Sequence, residues 1–162
     1  MISLFRIEMV KILFVCLGNI CRSVAAEGIL KTMVARAGFE YQFLIDSAGL
    51  IDYHEGELAD PRMRYAASRR GYNLTHRSLP VKTSDFFDFD IIIPMDDDNV
   101  RRLNLIMPKN SSANIVLAAE LFSEQSATTC VPDPYYMDAA GFEYCLDQLE
   151  DVCFNIIKRY AQ

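Results

Sequence analysis

The segment KILFVCL, residues 11–17, is an unbroken apolar run after its first residue, and GNICRS, residues 18–23, follows it directly. An apolar run of this length is typical of a strand that is buried on both faces of a parallel sheet. Ser23 is suited to cap a helix from Val24 to about Ala37, which Gly38 would end. These residues predict a strand, a short loop and a helix, the repeating unit of an α/β fold.

The same alternation continues along the chain. Further strands are predicted at Phe43–Ala48, Asp90–Met95 and Ile115–Ala118, and helices at Asp60–Arg70, Asp96–Leu105 and Gly141–Tyr160. Strands that alternate with helices form a parallel sheet covered on both faces. We therefore predict an α/β three-layer sandwich with a central four-stranded parallel sheet, flavodoxin- or Rossmann-like, and helices on both faces. Ligands of such sheets bind beyond the carboxyl ends of the strands, where the loop at residues 18–23 lies.

Length and charge narrow the function classes. The chain has 162 residues, which predicts a single domain, with residues 1–8 as an extension before the domain proper. Its net charge of −6 argues against binding nucleic acid or an anionic membrane by bulk charge. The apolar run at residues 12–18 is far shorter than the ~20 residues that span a bilayer, so we expect no membrane insertion.

Five cysteines are an odd number, and no pair has the C-x-x-C spacing of a zinc site. Two histidines are few for such a site, so no metal is expected. Free thiols are typical of a reducing compartment, which predicts a cytoplasmic location.

The loop between Cys16 and Ser23 has the composition of an oxyanion site. Its backbone N–H groups, together with the amino terminus of the following helix, would form a nest for a tetrahedral anion. Gly18 and Asn19 tolerate the positive φ that such a nest requires. Arg22 offers a planar fork for two phosphate oxygens. In that field the Cys16 thiol should ionise easily, and Ser23 could donate a hydrogen bond to the thiolate.

These features predict that Cys16 attacks the phosphorus of a bound monoester and forms a phosphocysteine. The alternative is that Cys16 is a buried residue at the end of a core strand, as cysteines often are. The strand before the loop and the helix after it favour the phosphate site.

A second element, residues 131–136 (VPDPYY), could supply the proton that the leaving oxygen needs. Asp133 lies between two prolines, in a stiff loop suited to a general acid that later acts as a base on water. Tyr135 and Tyr136 could flank an aromatic leaving group. The alternative is an ordinary turn with surface tyrosines.

Together the two elements resemble the low-molecular-weight protein tyrosine phosphatase family, from about Val10 to the C-terminal helix. Besides CLGNICRS at 16–23 and DPYY at 133–136, the resemblance includes DSAG at 46–49, ADPRM at 59–63, THRS at 75–78 and Met95-Asp96.

The resemblance implies the roles of the site residues. Cys16 would be the nucleophile, Arg22 the phosphate clamp and Asp133 the general acid and base. The other phosphate-loop and cleft-wall positions would be Leu17, Gly18, Asn19, Ile20, Cys21, Ser23, Tyr53, Tyr135 and Tyr136. Asn19, Ser23, Ser47 and His76 match the polar network that holds the loop in this family. Cys21 would form a disulfide with an oxidised Cys16 and protect it.

The resemblance also implies an activity. The chain would hydrolyse phosphotyrosine in proteins and small aryl phosphates, with acid phosphatase activity and no cofactor. Phosphate, vanadate or sulfate would occupy the site, and the protein would be a monomer or associate weakly with itself. The chain departs from the family at Val24, usually proline, and at Leu50, commonly threonine, and whether translation begins at Met1 or Met9 is left open.

Two other functions remain open at this point. A thioredoxin-coupled arsenate reductase shares this fold and loop but needs two more cysteines after the position of His76, and residues 81–99 contain none. A non-enzymatic module that binds phosphoproteins would keep the loop without turnover, and the presence of Cys16, Arg22 and Asp133 gives no reason to prefer it.

Overall fold

The computed structural model describes residues 8–123 and 128–162, so the predicted extension lies outside the described residues except for residue 8. The sheet has four parallel strands in the order β2-β1-β3-β4. They are β1 (Val10–Cys16), β2 (Phe43–Gly49), β3 (Ile91–Pro94) and β4 (Asn114–Ile115). The α-helices of the described ranges are α1 (Arg22–Ala37), α2 (Pro61–Ser68), α3 (Asp85–Asp88), α4 (Asp97–Ile106) and α5 (Ala139–Tyr160), with 3-10 helices at Glu40–Gln42, Ala118–Leu121 and Pro134–Tyr136.

Alternate side chains of β1 enter two different cores. Ile12 and Phe14 pack in the core shared with α1 and α5, and Leu13 packs in the opposite core with Phe86 of α3 and Leu103 of α4. Burial of both faces explains why the strand is apolar at successive positions. The predicted three-layer sandwich with a parallel four-stranded sheet is confirmed.

The register of the sheet places the ends of its central strands together. Cys16 of β1 is paired with Gly49 of β2, and Val15 is paired with Pro94 of β3. A side chain on the last residue of β1 therefore lies at the carboxyl edge of the sheet, between the loops that follow β2 and β3.

The prediction that Ser23 caps α1 was wrong. The helix begins at Arg22, its N-cap is Cys21, and no side chain caps it by a hydrogen bond. The Ser23 hydroxyl instead lies 3.0 Å from the Cys16 sulfur and accepts a hydrogen bond from Asn19 Nδ2 at 2.8 Å. The Ser23 side chain therefore contacts the loop, although its position in the sequence predicted a helix cap.

Other boundaries differ from the predictions for local reasons. β4 ends at Ile115 rather than Ala118, and a 3-10 helix follows in which the Glu120 carboxylate accepts from Leu117 N–H at 2.7 Å. α5 begins at Ala139 rather than Gly141 because Asp138 caps it. α2 ends at Ser68, before the predicted end at residue 70. The four-residue helix α3 was not predicted.

Candidate active site

A cleft of about 370 Å³ opens at the carboxyl end of β1. The Cys16 side chain lies in its wall and is 3% exposed. The cleft is lined by Cys16, Leu17, Gly18, Ile20, Cys21 and Arg22 of the loop, by Ile51, Tyr53 and His54, and by Asp133, Tyr135 and Tyr136. The structure therefore brings the two predicted elements, more than 100 residues apart in sequence, into one cavity.

The loop has one residue in the left-handed region, Asn19, with φ 56°. Asparagine tolerates this conformation better than most residues with a side chain. Gly18, which would also tolerate a positive φ, does not adopt one. Gly18 matters instead for close approach, because a Cβ atom there would lie 3.1 Å from Cδ2 of His54.

A buried network lies behind the loop. The Asn19 amide nitrogen donates to the hydroxyls of Ser23 at 2.8 Å and Ser47 at 3.0 Å, and its oxygen accepts from Leu79 N–H at 3.1 Å. The Asn19 oxygen also lies 3.0 Å from His76 Nε2. Asn19 and Ser23 are at most 1% exposed and do not line the cleft, so their side chains support the loop from behind.

The network ends on a carboxylate from α1. Ser47 donates to Glu27 Oε1 at 2.8 Å, and His76 Nδ1 lies 3.2 Å from the same oxygen and 3.4 Å from Asp46 Oδ1. Glu27, Asp46 and His76 place possible metal-ligand atoms within 4.8 Å of one another. Those atoms are already engaged with each other, and Glu27 also pairs with Lys31 at 3.0 Å. The residues fit a hydrogen-bonded support better than a metal site.

The Arg22 guanidinium joins three segments. Nη1 donates to Asp96 Oδ2 at 2.6 Å and to the Val131 carbonyl at 3.0 Å, and Nη2 lies 3.6 Å from Asp133 Oδ2. Burial lowers the pKa of Arg22, but the charges of Cys16, Asp96 and Asp133 outweigh burial and raise it above its usual value. The Arg22 Nε atom is buried and has no hydrogen-bond partner. Because a buried donor without a partner is costly, this N–H fits an anion bound in the cleft.

Asp133 lies at the edge of the cleft with its side chain 38% exposed. Its carboxylate accepts from Tyr135 N–H at 3.1 Å, which fixes the start of the 3-10 helix. Two residues shortly before Asp133 anchor the loop. The Val131 N–H donates to the carbonyl of Met95, just after β3, at 2.9 Å, and the Gln148 side chain of α5 donates to the Cys130 carbonyl at 3.1 Å. The carboxylate is thus held beside Arg22 on an anchored loop.

Aromatic rings form the outer wall. Tyr53 is 81% exposed and packs edge-on against His54 at 4.8 Å, and Tyr135 packs edge-on against Tyr136 at 4.9 Å. His54 is in turn held by Glu57, whose carboxylate lies 2.7 Å from Nδ1. Two edge-on ring pairs on the rim make the mouth of the cleft suited to a flat aromatic group.

Comparison with known proteins decides the family. Residues 11–162 match the profile of the low molecular weight phosphotyrosine protein phosphatases. The low molecular weight phosphotyrosine protein phosphatase of Schizosaccharomyces pombe is 39% identical over 153 residues, 94% of this chain and 97% of the yeast protein. The chain belongs to the low molecular weight phosphotyrosine protein phosphatase family.

Solved structures of the family agree with the fold. A protein tyrosine phosphatase from Entamoeba histolytica, crystallised with Hepes in its active site, is 43% identical, with a TM-score of 0.87, and the match covers 93% of this chain and 96% of that one. The Drosophila arginine phosphatase is 28% identical with a TM-score of 0.88, covering 94% and 98%. The same fold therefore occurs in one protein named a tyrosine phosphatase and in another named an arginine phosphatase.

Sequence reasoning assigned no role to four residues of this site. Asp96 holds Arg22, Glu27 holds Ser47 and His76, and Ile51 and His54 line the cleft. Asp96 had a signal, because it follows the end of a central strand, as functional residues of parallel sheets often do. Glu27 and His54 had none, because only the fold brings them to the loop.

No helix in the described ranges is long and apolar enough to cross a membrane.

Proposed function

We propose that the protein hydrolyses phosphotyrosine in proteins, and small aryl phosphates, through a phosphocysteine on Cys16. One observation carries the proposal. The Cys16 sulfur, the Arg22 guanidinium with its unpartnered Nε, and the Asp133 carboxylate share one cleft, with Arg22 and Asp133 3.6 Å apart. A nucleophile, an anion clamp and a proton donor are the parts that a two-step phosphoryl transfer needs.

In the first step the Cys16 thiolate attacks the phosphorus. The S–P bond forms as the P–O bond to the phenol breaks, and the electron pair of that bond goes to the phenolic oxygen. Asp133 gives this oxygen its proton. The Ser23 hydroxyl, 3.0 Å from the sulfur, stabilises the thiolate by donating to it, and Arg22 binds the non-bridging oxygens.

In the second step water replaces the sulfur. Asp133, now a carboxylate, takes a proton from the water as its oxygen attacks phosphorus. The S–P bond breaks, its electron pair returns to Cys16, and inorganic phosphate leaves. No metal takes part in this scheme, so treatment with a chelator should leave the rate unchanged.

The aromatic rim supports phosphotyrosine as the substrate. Tyr53 and Tyr136 are 81% and 92% exposed at the mouth of the cleft, where a phenyl ring above the phosphate would lie between them. The natural partners would be phosphotyrosine-containing proteins of the cytoplasm, with phosphate, vanadate or sulfate as competing ligands. We expect a monomer or a weakly associating protein.

The structure gives less support to an arsenate reductase. Relay of a disulfide needs accessible thiols near the nucleophile. Cys145 and Cys153 of α5 are at most 1% exposed, Cys21 of the loop is 4% exposed, and Cys130 is partly exposed.

The test replaces Cys16 by serine and measures hydrolysis of p-nitrophenyl phosphate and of a phosphotyrosine peptide. We expect no turnover with either substrate while vanadate still binds, because serine keeps the loop and is a far weaker nucleophile. Cys130→Ser is the matched control and should keep full activity. Turnover by Cys16→Ser would overturn the mechanism, and a phosphoarginine peptide cleaved faster than the phosphotyrosine peptide would overturn the substrate class.

A further inference from the structure

A second cavity of about 510 Å³ lies between α2 and the first turns of α5. Its walls are largely apolar, with Tyr65 and Ala66 from α2 and Met137, Ala140 and Phe142 from the other side. The charged residues that line it are divided between the two sides: Arg62 and Arg69 on the side of α2, and Asp138 and Glu143 at α5. A groove with an apolar floor and a charged rim suits an apolar side chain carried on a peptide.

The groove is held in shape. Arg70, two residues after the end of α2, binds three carboxylates of α5: Glu143 at 2.5 Å, Asp147 at 2.9 Å and Glu150. At the start of α5, the Met137 side chain packs against Gly141. Any larger residue at 141 would clash, because its Cβ atom would lie 2.4 Å from the Cβ atom of Met137. Both walls are therefore fixed before any ligand arrives, which reduces the entropy lost on binding.

Arg62 separates the groove from the catalytic cleft. Its guanidinium stacks on Tyr135 of the cleft at 5.3 Å and on Phe142 of the groove at 4.8 Å. Asp60 holds it by two hydrogen bonds, at 3.0 and 2.8 Å, and the Asp60 N–H donates to the Ile20 carbonyl of the catalytic loop at 2.8 Å. The ridge between the two cavities is thus tied to the phosphate loop.

The two cavities are close enough for one peptide. Tyr136 lines the cleft and the next residue, Met137, lines the groove. Adjacent Cα atoms are about 3.8 Å apart, and an extended peptide rises about 3.3 Å per residue. A peptide whose phosphotyrosine enters the cleft therefore reaches the groove within a few residues.

We propose that this groove binds an apolar side chain of the phosphoprotein substrate, two or four residues from the phosphotyrosine. The inference rests on the proposed function and adds a subsite to it. In an extended peptide, side chains two or four residues apart point to the same face, so the phosphotyrosine and its apolar neighbour can enter the two cavities together. Binding at the groove would be driven by burial of the apolar side chain. The groove would therefore have no effect on the hydrolysis of small aryl phosphates, which have no peptide to reach it.

The test combines a substrate series with a variant that narrows the groove. Leucine is placed in turn at each position up to four residues on either side of phosphotyrosine in a polyalanine peptide. We expect kcat/KM to rise about tenfold with leucine at one position two or four residues away, the size expected from burying part of a leucine side chain.

In Ala140→Glu the longer side chain extends into the groove from an exposed position in the first turn of α5. A negative charge near the amino terminus of a helix is favourable, so the helix should tolerate the change. This variant should abolish the gain from leucine and leave hydrolysis of p-nitrophenyl phosphate unchanged. The matched control is Ala35→Glu, an exposed helical alanine thirteen residues, or roughly 20 Å, along α1 from Arg22. It should keep the full preference.

Three results would overturn the subsite. These are equal kcat/KM values for all leucine positions, a preference that survives in Ala140→Glu, and a preference lost equally in Ala35→Glu. Failure of the subsite is distinct from failure of the proposed function, because a protein without phosphatase activity would cleave neither the peptides nor p-nitrophenyl phosphate.

Discussion

Replacing Asn19 by alanine tests whether the buried network shapes the phosphate loop. The Asn19 amide donates to Ser23 and Ser47 and accepts from Leu79 N–H and from His76. In the alanine variant the two hydroxyls keep other partners, Cys16 and Glu27, but the Leu79 N–H and the His76 ring nitrogen lose theirs.

The size of the effect follows from these contacts. A fully buried donor left without a partner costs about 1–3 kcal/mol, and the Leu79 N–H and His76 hydrogen bonds are only part-buried, so each should cost about 1 kcal/mol. Alanine at the φ of 56° that residue 19 adopts costs roughly another 1–2 kcal/mol. Partial relaxation lowers the sum, so we expect the free energy of unfolding to fall by about 3 kcal/mol. If the same energy is lost from the active conformation of the loop, kcat/KM falls by roughly 10².

The assay pairs urea denaturation with kcat/KM for p-nitrophenyl phosphate. Asn155→Ala is the control, because the Asn155 amide donates to the Leu121 carbonyl and to Ser123, both at 2.9 Å, away from the loop. That variant should lose stability and keep its kcat/KM. If Asn19→Ala loses stability and keeps the parental kcat/KM, the network does not shape the loop and the reasoning is refuted.

Three further predictions concern the acid, redox protection and pH. Asp133→Asn should lower kcat/KM for phenyl phosphate by about 10²–10⁴ and less for p-nitrophenyl phosphate, whose leaving group needs no proton; an equal loss for both would make Asp133 structural. Peroxide should inactivate the parent reversibly, with peptide mapping showing Cys16 linked to Cys21, whereas Cys21→Ser should recover poorly after a dithiol; equal recovery would remove the protective role. Burial raises the pKa of the Cys145 thiol from 9.0 to about 12, and burial with a hydrogen bond to Glu150 raises that of Tyr72 from 10.0 to about 12. The unfolded chain therefore ionises first at these two groups. Their contribution to the free energy of unfolding in urea should be constant below about pH 9 and should fall between pH 9 and 12, and a constant free energy between pH 9 and 12 would contradict the burial.

The sequence was sufficient to predict the order of the elements and the loop that lines the cleft at the end of β1. Continuous apolar runs at β1 and β3 and the Asp60-Pro61 start of α2 are local signals, and they predicted these elements to within a few residues. Cys16 and Arg22 lie in one short segment, so their spacing could be read directly.

What could not be predicted depends on distant contacts. The Ser23 hydroxyl bonds to Cys16 and Asn19 rather than to its own helix, which no local pattern reveals. Asp96 lies 74 residues after Arg22 and meets it only because β1 and β3 are neighbours in the sheet. A short helix such as α3 gives too few residues for a periodic signal.

The most direct test of the account is to trap the covalent intermediate. Asp133→Asn slows the attack of water, and the acidic leaving group of p-nitrophenyl phosphate lets the first step proceed without a proton. The reaction is stopped rapidly and peptides are examined by mass spectrometry. We predict one phosphoryl group on the peptide that contains Cys16, absent when Cys16 is replaced by serine. A phosphoryl group on any other residue, or product formed with no phosphorylated peptide while turnover continues, would contradict the mechanism.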